Sequence, residues 1–425
     1  MTASAMTLRD EMIAAVGAEH VEELGEELGL RVSPGSAPEV AEVIRRAGAA
    51  GAAVHPVGAG GRPTRVSPRS SASADSLHSG RDPKGDRPRV FISTSRLDQI
   101  VQLDEQSLLV HAQAGLTGLE LERILAPRGL SIGDYPPVVL TSSIGGILAV
   151  RTPGKSSARH GFFEDAVVGV SAVLADGRTV HTRLAPRRST GPDLARALCG
   201  SEGTIGFITS AVLRIHAKPE ARLVAAFILP SVDAAIAAVY LALREEAAPS
   251  GLRIYDAAEA RAHFSGLELA DAEALLCAGT AGPTDLAACD RDLIASAVIA
   301  EGGRSGDNAL AELWWKRLHA GVPTPGPQPS LQIMATPSKL RPVYHAVIDR
   351  ARELGLDVRV HISRFDPDGG LIFVTGAVDA AELERAAEAA GGYLLGARAH
   401  KLDGYLRALR DALDPQQIMN PGTLS

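Results

Sequence analysis

The chain has 425 residues, enough for two or three domains, and its 45% apolar and 22% charged residues exclude disordered, fibrous and membrane classes. No run approaches the roughly 20 apolar residues of a membrane helix, and the first residues lack a secretory signal pattern, so we expect a cytoplasmic protein with no membrane span. The formal net charge of -7 argues against a nucleic-acid partner. These features favour an enzyme that acts on a small molecule.

The pattern of apolar residues predicts a mixture of helices and strands. The Glu- and Leu-rich stretch that ends near Gly29 predicts a helix, and a second helix is expected at 38–50, after Ser36 as its N-cap. Later elements are strands at 52–58, 90–94, 108–114 and 167–177 and a helix at 118–129. Residues 66–88 carry almost no large apolar side chains, which predicts a mobile surface insertion.

A change of character near residue 218 predicts a domain boundary. Pro219 closes one strand, and a new strand and helix unit begins after it. The three cysteines, Cys199, Cys277 and Cys289, fit neither a disulfide framework nor a zinc site, so we expect buried thiols. No metal site is assigned, since His345 lies on a predicted helix without a metal-spaced partner.

Candidate chemistry lies in three glycine segments, at 56–64, 141–150 and 200–209, because glycine lets a backbone approach a ligand closely. The first segment is not a dinucleotide fingerprint, since it lacks the third glycine and continues into Pro63. Each of the first two segments alone is also compatible with an ordinary turn or helix entry. The density of small and polar residues in the third is hard to explain as core.

Five segments in one order, PVGAGG, TSRLDQIVQLDEQSLLVHAQAG, SSIGGILAVRTPGKSSARHG, VLADG and STGPDLARALCGSEGTIGFIT, resemble the vanillyl-alcohol-oxidase (PCMH) type of FAD-binding domain. The tail LDPQQIMNPG is similar to the family's usual ending. The resemblance implies an α+β fold: a two-subdomain PCMH-type FAD-binding domain with an α+β cap, or substrate, domain. On this basis the FAD-binding domain is expected at 1–218, the cap at 219–394, and a segment returning to the first domain at 395–425.

The resemblance also assigns FAD contacts to three loops. The first would cradle the pyrophosphate and consists of Pro56, Val57, Gly58, Ala59, Gly60 and Gly61. The second contains Ser142, Ser143, Gly145, Gly146, Val150 and Arg151. The third contains Glu202, Gly203, Thr204, Gly206, Phe207 and Ile208. We call these the three flavin loops.

The chain departs from the family at two of these places. Gly61-Arg62 stands where Thr-Ser is usual, which moves phosphate recognition toward Arg62, whose guanidinium fork suits phosphate. His160 stands where Tyr is usual. His55, His111 and His160 are candidates for covalent flavin attachment by residue type alone, and an ordinary hydrogen-bonded histidine is expected at each.

Two cap segments, Arg253 in SGLRIYD and residues 361–375, resemble alkyldihydroxyacetonephosphate synthases, as does STGPD at 189–193 in the FAD-binding domain. Those enzymes exchange an acyl for an alkyl chain without net redox change. This chain has Phe373 where they use Tyr, and only His400 where they have a run of histidines. Loss of a proton-transfer group typically costs about 10²–10⁴-fold in rate, which argues against synthase activity.

Other segments of the cap and tail, WWKRLHAGVP, PSLQIMATPSKL and GGYLLGARAHKLDGYLRALRDALDPQQIMNPG, resemble the smaller flavin subunits of glycolate oxidase. That resemblance implies hydride transfer from a hydroxyl-bearing carbon to flavin N5, with a base and an anion-binding arginine. The candidate bases are His361 and His400, and the candidate anion clamps are Arg253, Arg364 and Arg398. For each of these residues, a salt bridge or a satisfied core position is the alternative.

The sequence thus predicts an FAD-dependent oxidoreductase for a small hydroxylated, anionic substrate of the 2-hydroxy acid or alcohol type. One alternative is a flavin-binding subunit with a reduced catalytic set, completed by a partner subunit. The other is a redox-neutral transferase similar to the synthases. Assembly as a homodimer or with a partner subunit stays open.

Overall fold

A computed structural model of the chain describes residues 6–25, 29–58, 87–133, 140–151, 159–182, 184, 191–319, 331–376, 380–395 and 404–423. The helices are α1 (Leu8–Val16), α2 (Ala37–Ala49), α3 (Gly118–Leu125), α4 (Ile144–Ala149), α5 (Leu194–Leu198), α6 (Val232–Arg244), α7 (Ala257–His263), α8 (Thr284–Ala300), α9 (Asn308–His319), α10 (Pro337–Glu353), α11 (Ala380–Ala389) and α12 (Gly404–Leu413). None of these described helices has the length and apolar character needed to cross a membrane.

The strands are β1 (Val21–Glu23), β2 (Leu30–Val32), β3 (Ala53–Val57), β4 (Arg89–Ser93), β5 (Ile100–Asp104), β6 (Leu109–Gln113), β7 (Leu130–Ser131), β8 (Val167–Leu174), β9 (Thr179–His181), β10 (Gly206–Arg214), β11 (His216–Ala217), β12 (Ala221–Leu229), β13 (Gly251–Asp256), β14 (Ala274–Gly282), β15 (Arg304–Ser305), β16 (Leu331–Ala335), β17 (Val358–Asp366), β18 (Gly369–Gly376) and β19 (Tyr393–Leu395).

The first sheet has the order β1-β2-β4-β3, and β2, β4 and β3 run parallel. Helix α2 covers it with an apolar face of Val40, Val43, Ile44 and Ala47. Ser36 caps α2 by accepting a hydrogen bond from the Glu39 backbone N–H, as the sequence predicts. Because Val57 pairs with Ser93, the carboxyl ends of β3 and β4 lie side by side.

The helix predicted for the Glu- and Leu-rich stretch before Gly29 is wrong over residues 21–25. Residues 21–23 form β1, which pairs antiparallel with β2. Gly25 and Gly29 adopt φ values of +102° and +99°, which favour glycine and interrupt a helix. Strand pairing therefore overrides the helix propensity of the Glu- and Leu-rich stretch.

The second sheet is antiparallel, in the order β5-β6-β10-β8-β9. One face packs on α3, α4 and α5 in a continuous apolar cluster. On the other face, Val173 and Phe207 join the core of the first sheet together with Ile418 and Met419 of the tail. The tail therefore stabilises the junction between the two sheets.

The third sheet lies in the cap and is antiparallel, in the order β15-β12-β14-β13-β17-β18-β16-β19. Helices α6, α8, α10 and α11 cover one face around the largest apolar cluster. Helices α7 and α9 lie on the opposite face with a smaller cluster. Cys199 and Cys277 are buried as expected, but Cys289 is exposed, since α8 turns other residues toward the sheet.

Candidate flavin site and the adjoining cap face

The three flavin loops lie next to one another at the carboxyl end of β3. A Cβ atom on Gly58 would lie 3.0 Å from Ser143 Oγ of the second loop. A Cβ atom on Gly203 of the third loop would lie 2.6 Å from Pro56 Cγ of the first. Because these positions leave so little room for a side chain, the glycine backbone of one loop lies directly against a side chain of the next.

The second loop begins α4. Ser143 is its N-cap and accepts a hydrogen bond from the Gly146 N–H at 3.3 Å. The Gly145 N–H donates to the Ala114 carbonyl at 2.8 Å, and a Cβ on Gly145 would lie 2.8 Å from Ala114 Cβ. Gly145 thus has a packing role, because it lets α4 approach the end of β6.

The third loop is tied to the second by backbone and side-chain bonds. The Glu202 N–H donates to the Ala149 carbonyl at 2.8 Å, and Arg151 Nε donates to the Cys199 carbonyl at 3.0 Å. Arg151 and Glu202 have φ values of +46° and +50°. Such values are uncommon outside glycine and concentrate at functional sites.

Several predicted contact residues meet the protein core rather than open space. Gly206, Phe207 and Ile208 are buried at the start of β10, and the last two pack into apolar clusters. Thr204 Oγ1 donates to the Ser201 carbonyl at 2.7 Å. The predicted residues Ala59, Gly60, Gly61, Arg62, Arg398 and His400 and most of the 66–88 insertion lie outside the described residues.

The tail contributes Asn420, which the sequence reasoning did not select. Its N–H donates to the Val54 carbonyl at 2.7 Å, and its Nδ2 donates to the Glu202 carbonyl at 2.6 Å. Asn420 Oδ1 lies 3.0 Å from His55 Nδ1. One side chain therefore joins the tail, β3 and the third loop. The position of Asn420 in the MNPG ending was the available signal.

Replacing Asn420 with alanine should lower the free energy of unfolding by about 1–3 kcal/mol, because two side-chain hydrogen bonds are lost at a partly buried position. FAD affinity should fall as well, since the third loop loses an anchor. Urea titration and flavin titration measure the two effects. Asn420→Asp should also destabilise, because it places a carboxylate oxygen against the Glu202 carbonyl. Wild-type values for both variants would contradict this role.

The residues around the loops fit an oxygen-rich ligand. Thr94 Oγ1 and Ser201 Oγ are buried, and neither has a hydrogen-bond partner among the described residues. The Thr94 N–H donates to the Val57 carbonyl, and Ser201 immediately precedes the third loop, so both hydroxyls border the cradle. Buried hydroxyls normally have partners, and the phosphate, ribose and ribityl oxygens of FAD would supply them.

His160 is stacked on His216, with ring centroids 3.9 Å apart. Burial, followed by the charges of His216 and Arg159, lowers the pKa of His160 to about 4. The other two candidate histidines are hydrogen-bonded as expected: His55 to Asn420, and His111 Nε2 to Ser210 Oγ at 2.9 Å.

The His160 shift predicts a pH dependence of stability. Between pH 6.5 and about 4 the unfolded chain binds a proton at this site and the folded chain does not, so stability is lost as the pH falls. We expect His160→Gln to reduce this loss by about 1–2 kcal/mol, after allowance for partial solvent exposure. Urea denaturation of both proteins at several pH values measures the difference, and equal pH slopes would contradict it.

Four predicted or neighbouring side chains share one face of the cap sheet. Arg253 and Tyr255 are two residues apart on β13, so their side chains point to the same face. Tyr255 pairs with His361 of β17, and His361 pairs with Phe373 of β18. Ile254 lies between Arg253 and Tyr255 and points to the core on the opposite face. Strand alternation thus separates a polar face from an apolar one.

Arg364 joins this face through a β-bulge. The register between β17 and β18 shifts between Ser363 and Asp366, and Arg364 has a φ of +57°. Regular alternation would turn Arg364 toward the same side as Ile362. The bulge instead sends Phe365 into the core and leaves Arg364 beside Phe373, with its guanidinium carbon 5.5 Å from the ring centroid.

Arg253 and Arg364 bring two buried guanidinium groups to this face. Arg253 and Arg364 are each 7% exposed, and Arg253 Nη1 lies 3.3 Å from Tyr255 Oη. Burial, followed by the charge of Arg253, lowers the pKa of Arg364 to about 9, and Glu164 opposes this shift. Arg364 therefore remains charged at neutral pH. Glu164 lies outside the cap, and burial raises the pKa of its carboxyl.

His361 is paired with a carboxylate that the sequence reasoning missed. Its Nδ1 lies 3.1 Å from Glu259 Oε1, and its ring stacks on Phe373 at 4.6 Å between centroids and 13° between planes. Glu259 looks like an ordinary helix-surface residue in the sequence AAEARAH. Its spacing of four residues from His263 was the one signal, and it did not indicate His361.

Comparison with known families gives two matches. Residues 29–183 match the family described as an FAD binding domain, and residues 218–405 match the C-terminal domain of FAD linked oxidases. Together the two matched regions cover most of the chain.

Curated relatives agree with this assignment. The chain is 30% identical over 277 residues to the FAD-linked oxidoreductase YgcU of Escherichia coli K12, covering 62% of this chain and 57% of that protein. It is 28% identical over 225 residues to the alkyldihydroxyacetonephosphate synthase of Caenorhabditis elegans, covering 53% and 36%. Identity to the glycolate oxidase subunit GlcD of Bacillus subtilis is 31% over 162 residues, covering 38% and 34%. The aligned region thus spans little more than half of YgcU and less of the others.

Solved structures share the fold. An alkyldihydroxyacetonephosphate synthase aligns with a TM-score of 0.67 at 22% identity, covering 92% of this chain and 76% of its own. p-Cresol methylhydroxylase aligns with a TM-score of 0.70 at 15% identity, covering 98% and 96%. The resemblance predicted from the motifs is confirmed, and the chain belongs to the FAD-linked oxidoreductases of the vanillyl-alcohol-oxidase (PCMH) type, with an α+β FAD-binding domain followed by an FAD-linked oxidase C-terminal domain.

Proposed function

We propose that this chain oxidises a small hydroxylated anionic substrate, of the 2-hydroxy acid type, by hydride transfer to FAD. The observation that carries the proposal is the cap face, where buried Arg253 and Arg364 accompany the His361–Glu259 pair. A positive region and a candidate base on one sheet face match the two needs of this oxidation: binding a carboxylate and removing a hydroxyl proton.

The arginines are suited to hold the substrate anion. A guanidinium presents a planar fork of N–H donors that matches a carboxylate. Arg253 and Arg364 are buried, so their charges are weakly screened by solvent. Burial, followed by the charge of Arg253, lowers the pKa of Arg364, and a bound anion would relieve the repulsion between the two arginines. This electrostatic relief favours anionic over neutral substrates.

His361 is suited to accept the hydroxyl proton. An imidazole titrates near neutral pH and can remove a proton as the carbon–oxygen double bond forms. The stacked Phe373 ring holds the plane of His361, so the imidazole has a defined direction. Substrate binding at Arg253 or Arg364 would then place the hydroxyl relative to this ring.

The three flavin loops are suited to hold FAD, and bound FAD supplies the acceptor for the hydride. Backbone groups of 56–58 and 202–204 and the hydroxyls of Thr94, Ser143 and Ser201 are the described groups that would hold it. Arg151 and Asn420 would keep the loops in place.

Two relatives support the substrate class by their names. GlcD is named as a subunit of glycolate oxidase, and a yeast relative, 35% identical over 130 residues, is named a D-lactate dehydrogenase. Phe373 argues against the synthase reaction, because a phenyl ring has no proton to donate where the synthases use Tyr. We therefore favour oxidation over alkyl transfer.

The experiment is anaerobic titration of the purified holoprotein with 2-hydroxy acids of increasing size and with sugar alcohols. Loss of the visible flavin absorbance reports hydride transfer. We expect one or more 2-hydroxy acids to bleach the flavin. If FAD binds but no compound bleaches it, the oxidation is contradicted and the subunit alternative, with a partner completing the site, is favoured.

A further inference from the structure

We infer that Glu259 is a positioning residue, which fixes the orientation and the tautomer of His361, the candidate base of the proposed oxidation. The inference rests on the proposed function for the reaction it serves. The contact between Glu259 and His361 is seen in the structure and does not depend on which reaction the chain catalyses.

Glu259 is built into the cap rather than placed on its surface. It is 1% exposed and lies in the first turn of α7, with Oε1 3.1 Å from His361 Nδ1. A buried carboxylate needs partners, since burial without them is costly. Glu259 has the His361 ring at hydrogen-bond distance and Arg359 Nε 3.7 Å from its Oε2.

One side chain holds both members of this pair in place. Asp256 is the N-cap of α7, and its Oδ1 accepts a hydrogen bond from the Glu259 N–H at 2.7 Å. Its Oδ2 accepts from the Val360 N–H at 2.7 Å, and Val360 directly precedes His361. The start of α7 and the strand that carries His361 are therefore clamped by the same carboxylate.

The second nearby histidine does not compete for the carboxylate to the same extent. His263 Nδ1 lies 3.0 Å from the Glu259 carbonyl oxygen and 3.7 Å from Glu259 Oε1. The backbone carbonyl therefore sets the hydrogen-bonding state of His263. The short carboxylate contact goes to His361.

Charges from three elements face Glu259: His263 on its own helix, Arg359 and His361 on β17, and Arg253 on β13. Burial raises the pKa of Glu259, and the charges of His263, Arg359 and Arg253 oppose that rise. The pKa of Glu259 stays above its ordinary value, and the nearby Asp256 carboxyl repels it when both are ionised, so the ionised form depends on these positive charges.

An ionised Glu259 accepts from His361 Nδ1–H, so neutral His361 carries its proton on Nδ1. In the proposed oxidation the hydroxyl proton moves to the imidazole of His361 as the carbon–oxygen double bond forms, and bound FAD would accept the hydride from the carbon. Glu259 gains no proton and stabilises the imidazolium that results. Phe373 supports the ring from one side.

The test compares Glu259→Gln with a matched control. The control is Asp233→Asn, which breaks another carboxylate–imidazole pair, His345 Nε2 to Asp233 Oδ2 at 2.8 Å, on exposed helices outside the cap face. Nitrogen-15 spectra of the histidine rings, with His361 assigned through His361→Gln, report tautomer and pKa without any substrate. Glu259→Asp is the second variant, since it keeps the charge if Glu259→Gln folds poorly.

We expect the Nδ1–H tautomer in wild-type His361. In Glu259→Gln its pKa should fall by about one unit, because a negative charge that favours imidazolium is removed. The rate of flavin reduction should fall about 10²–10⁴-fold. In the plot of this rate against pH, the acid limb should move to lower pH, because it follows the pKa of His361. Glu259→Asp should recover part of the rate, and Asp233→Asn should change neither the His361 signals nor the rate.

An unchanged His361 tautomer and pKa in Glu259→Gln would overturn the inference, as would a normal rate of flavin reduction with altered spectra. A lower rate without movement of the acid limb would indicate a merely structural role and would also overturn it. If no substrate reduces the wild-type flavin, the proposed function fails, and the spectra still decide whether Glu259 positions His361.

Discussion

Replacing Gly203 with alanine should weaken FAD binding by about 100-fold or more, the largest effect that we expect from a single methyl group in this chain. The added Cβ would lie 2.6 Å from Pro56 Cγ, closer than carbon atoms can approach. Pro56 is held in β3 opposite Ile92, so it cannot move away without disturbing the sheet. The loops must separate, and the cradle for the pyrophosphate opens. Gly203→Asp should be worse, since it adds a negative charge beside the phosphates.

A control separates this contact from backbone strain. Gly203 has a φ of +74°, where any other residue is strained. Gly129 has a similar φ of +69°, but a Cβ on it would meet nothing within 4 Å. Gly129→Ala should therefore lose about 1 kcal/mol of stability and retain FAD. Flavin titration of the two apoproteins measures their FAD affinities, and urea denaturation measures the loss of stability. Equal FAD affinity in the two variants would contradict the role of the third loop.

Replacing Arg364 with methionine should lower kcat/KM for the anionic substrate by about 10²–10³-fold. The variant removes one member of a buried anion-binding pair, and truncation of buried charge partners typically costs about 2–5 kcal/mol. Methionine keeps most of the side-chain volume beside Phe373. We expect most of the loss in kcat/KM to come from a higher KM rather than from a lower kcat, because the arginine binds the substrate. Arg364→Lys should recover only part, because an ammonium lacks the planar fork.

The matched control is Arg304→Met, which removes an exposed arginine of the same cap paired with Glu273 at 2.7 Å. Exposed ion pairs contribute little, so stability and kinetics should stay near wild type. If Arg364→Met keeps the wild-type kcat/KM, or loses no more than Arg304→Met, Arg364 does not bind the substrate.

Much of the close approach of the three flavin loops could be predicted from the sequence, because it depends on local backbone requirements. Glycines and small hydroxyl residues in a fixed order mark places where a backbone must approach a ligand or another loop, and Gly58, Gly145 and Gly203 do lie at such close approaches. Asn420 was missed as a contact, since its partners in β3 and the third loop are more than 200 residues away.

The cap face was harder to predict because it depends on register and long-range pairing. His361 and Arg364 differ by an odd number of residues, so a regular strand would turn them to opposite faces. The bulge after Ser363 brings them together, and the sequence does not reveal it. Glu259 meets His361 only because Asp256 clamps α7 to β17, which no local pattern indicates. The predicted helix before Gly29 failed similarly, through strand pairing.

The most direct test of the central claim compares a 2-hydroxy acid with the 1,2-diol of the same carbon skeleton in anaerobic single-turnover reduction of the bound flavin. The two compounds offer the same type of reacting carbon and hydroxyl and differ in the carboxylate that Arg253 and Arg364 would hold. The account predicts that the acid reduces the flavin at least about 100-fold faster at equal subsaturating concentration. Equal rates for the two compounds, or a bound flavin that neither reduces, would contradict it.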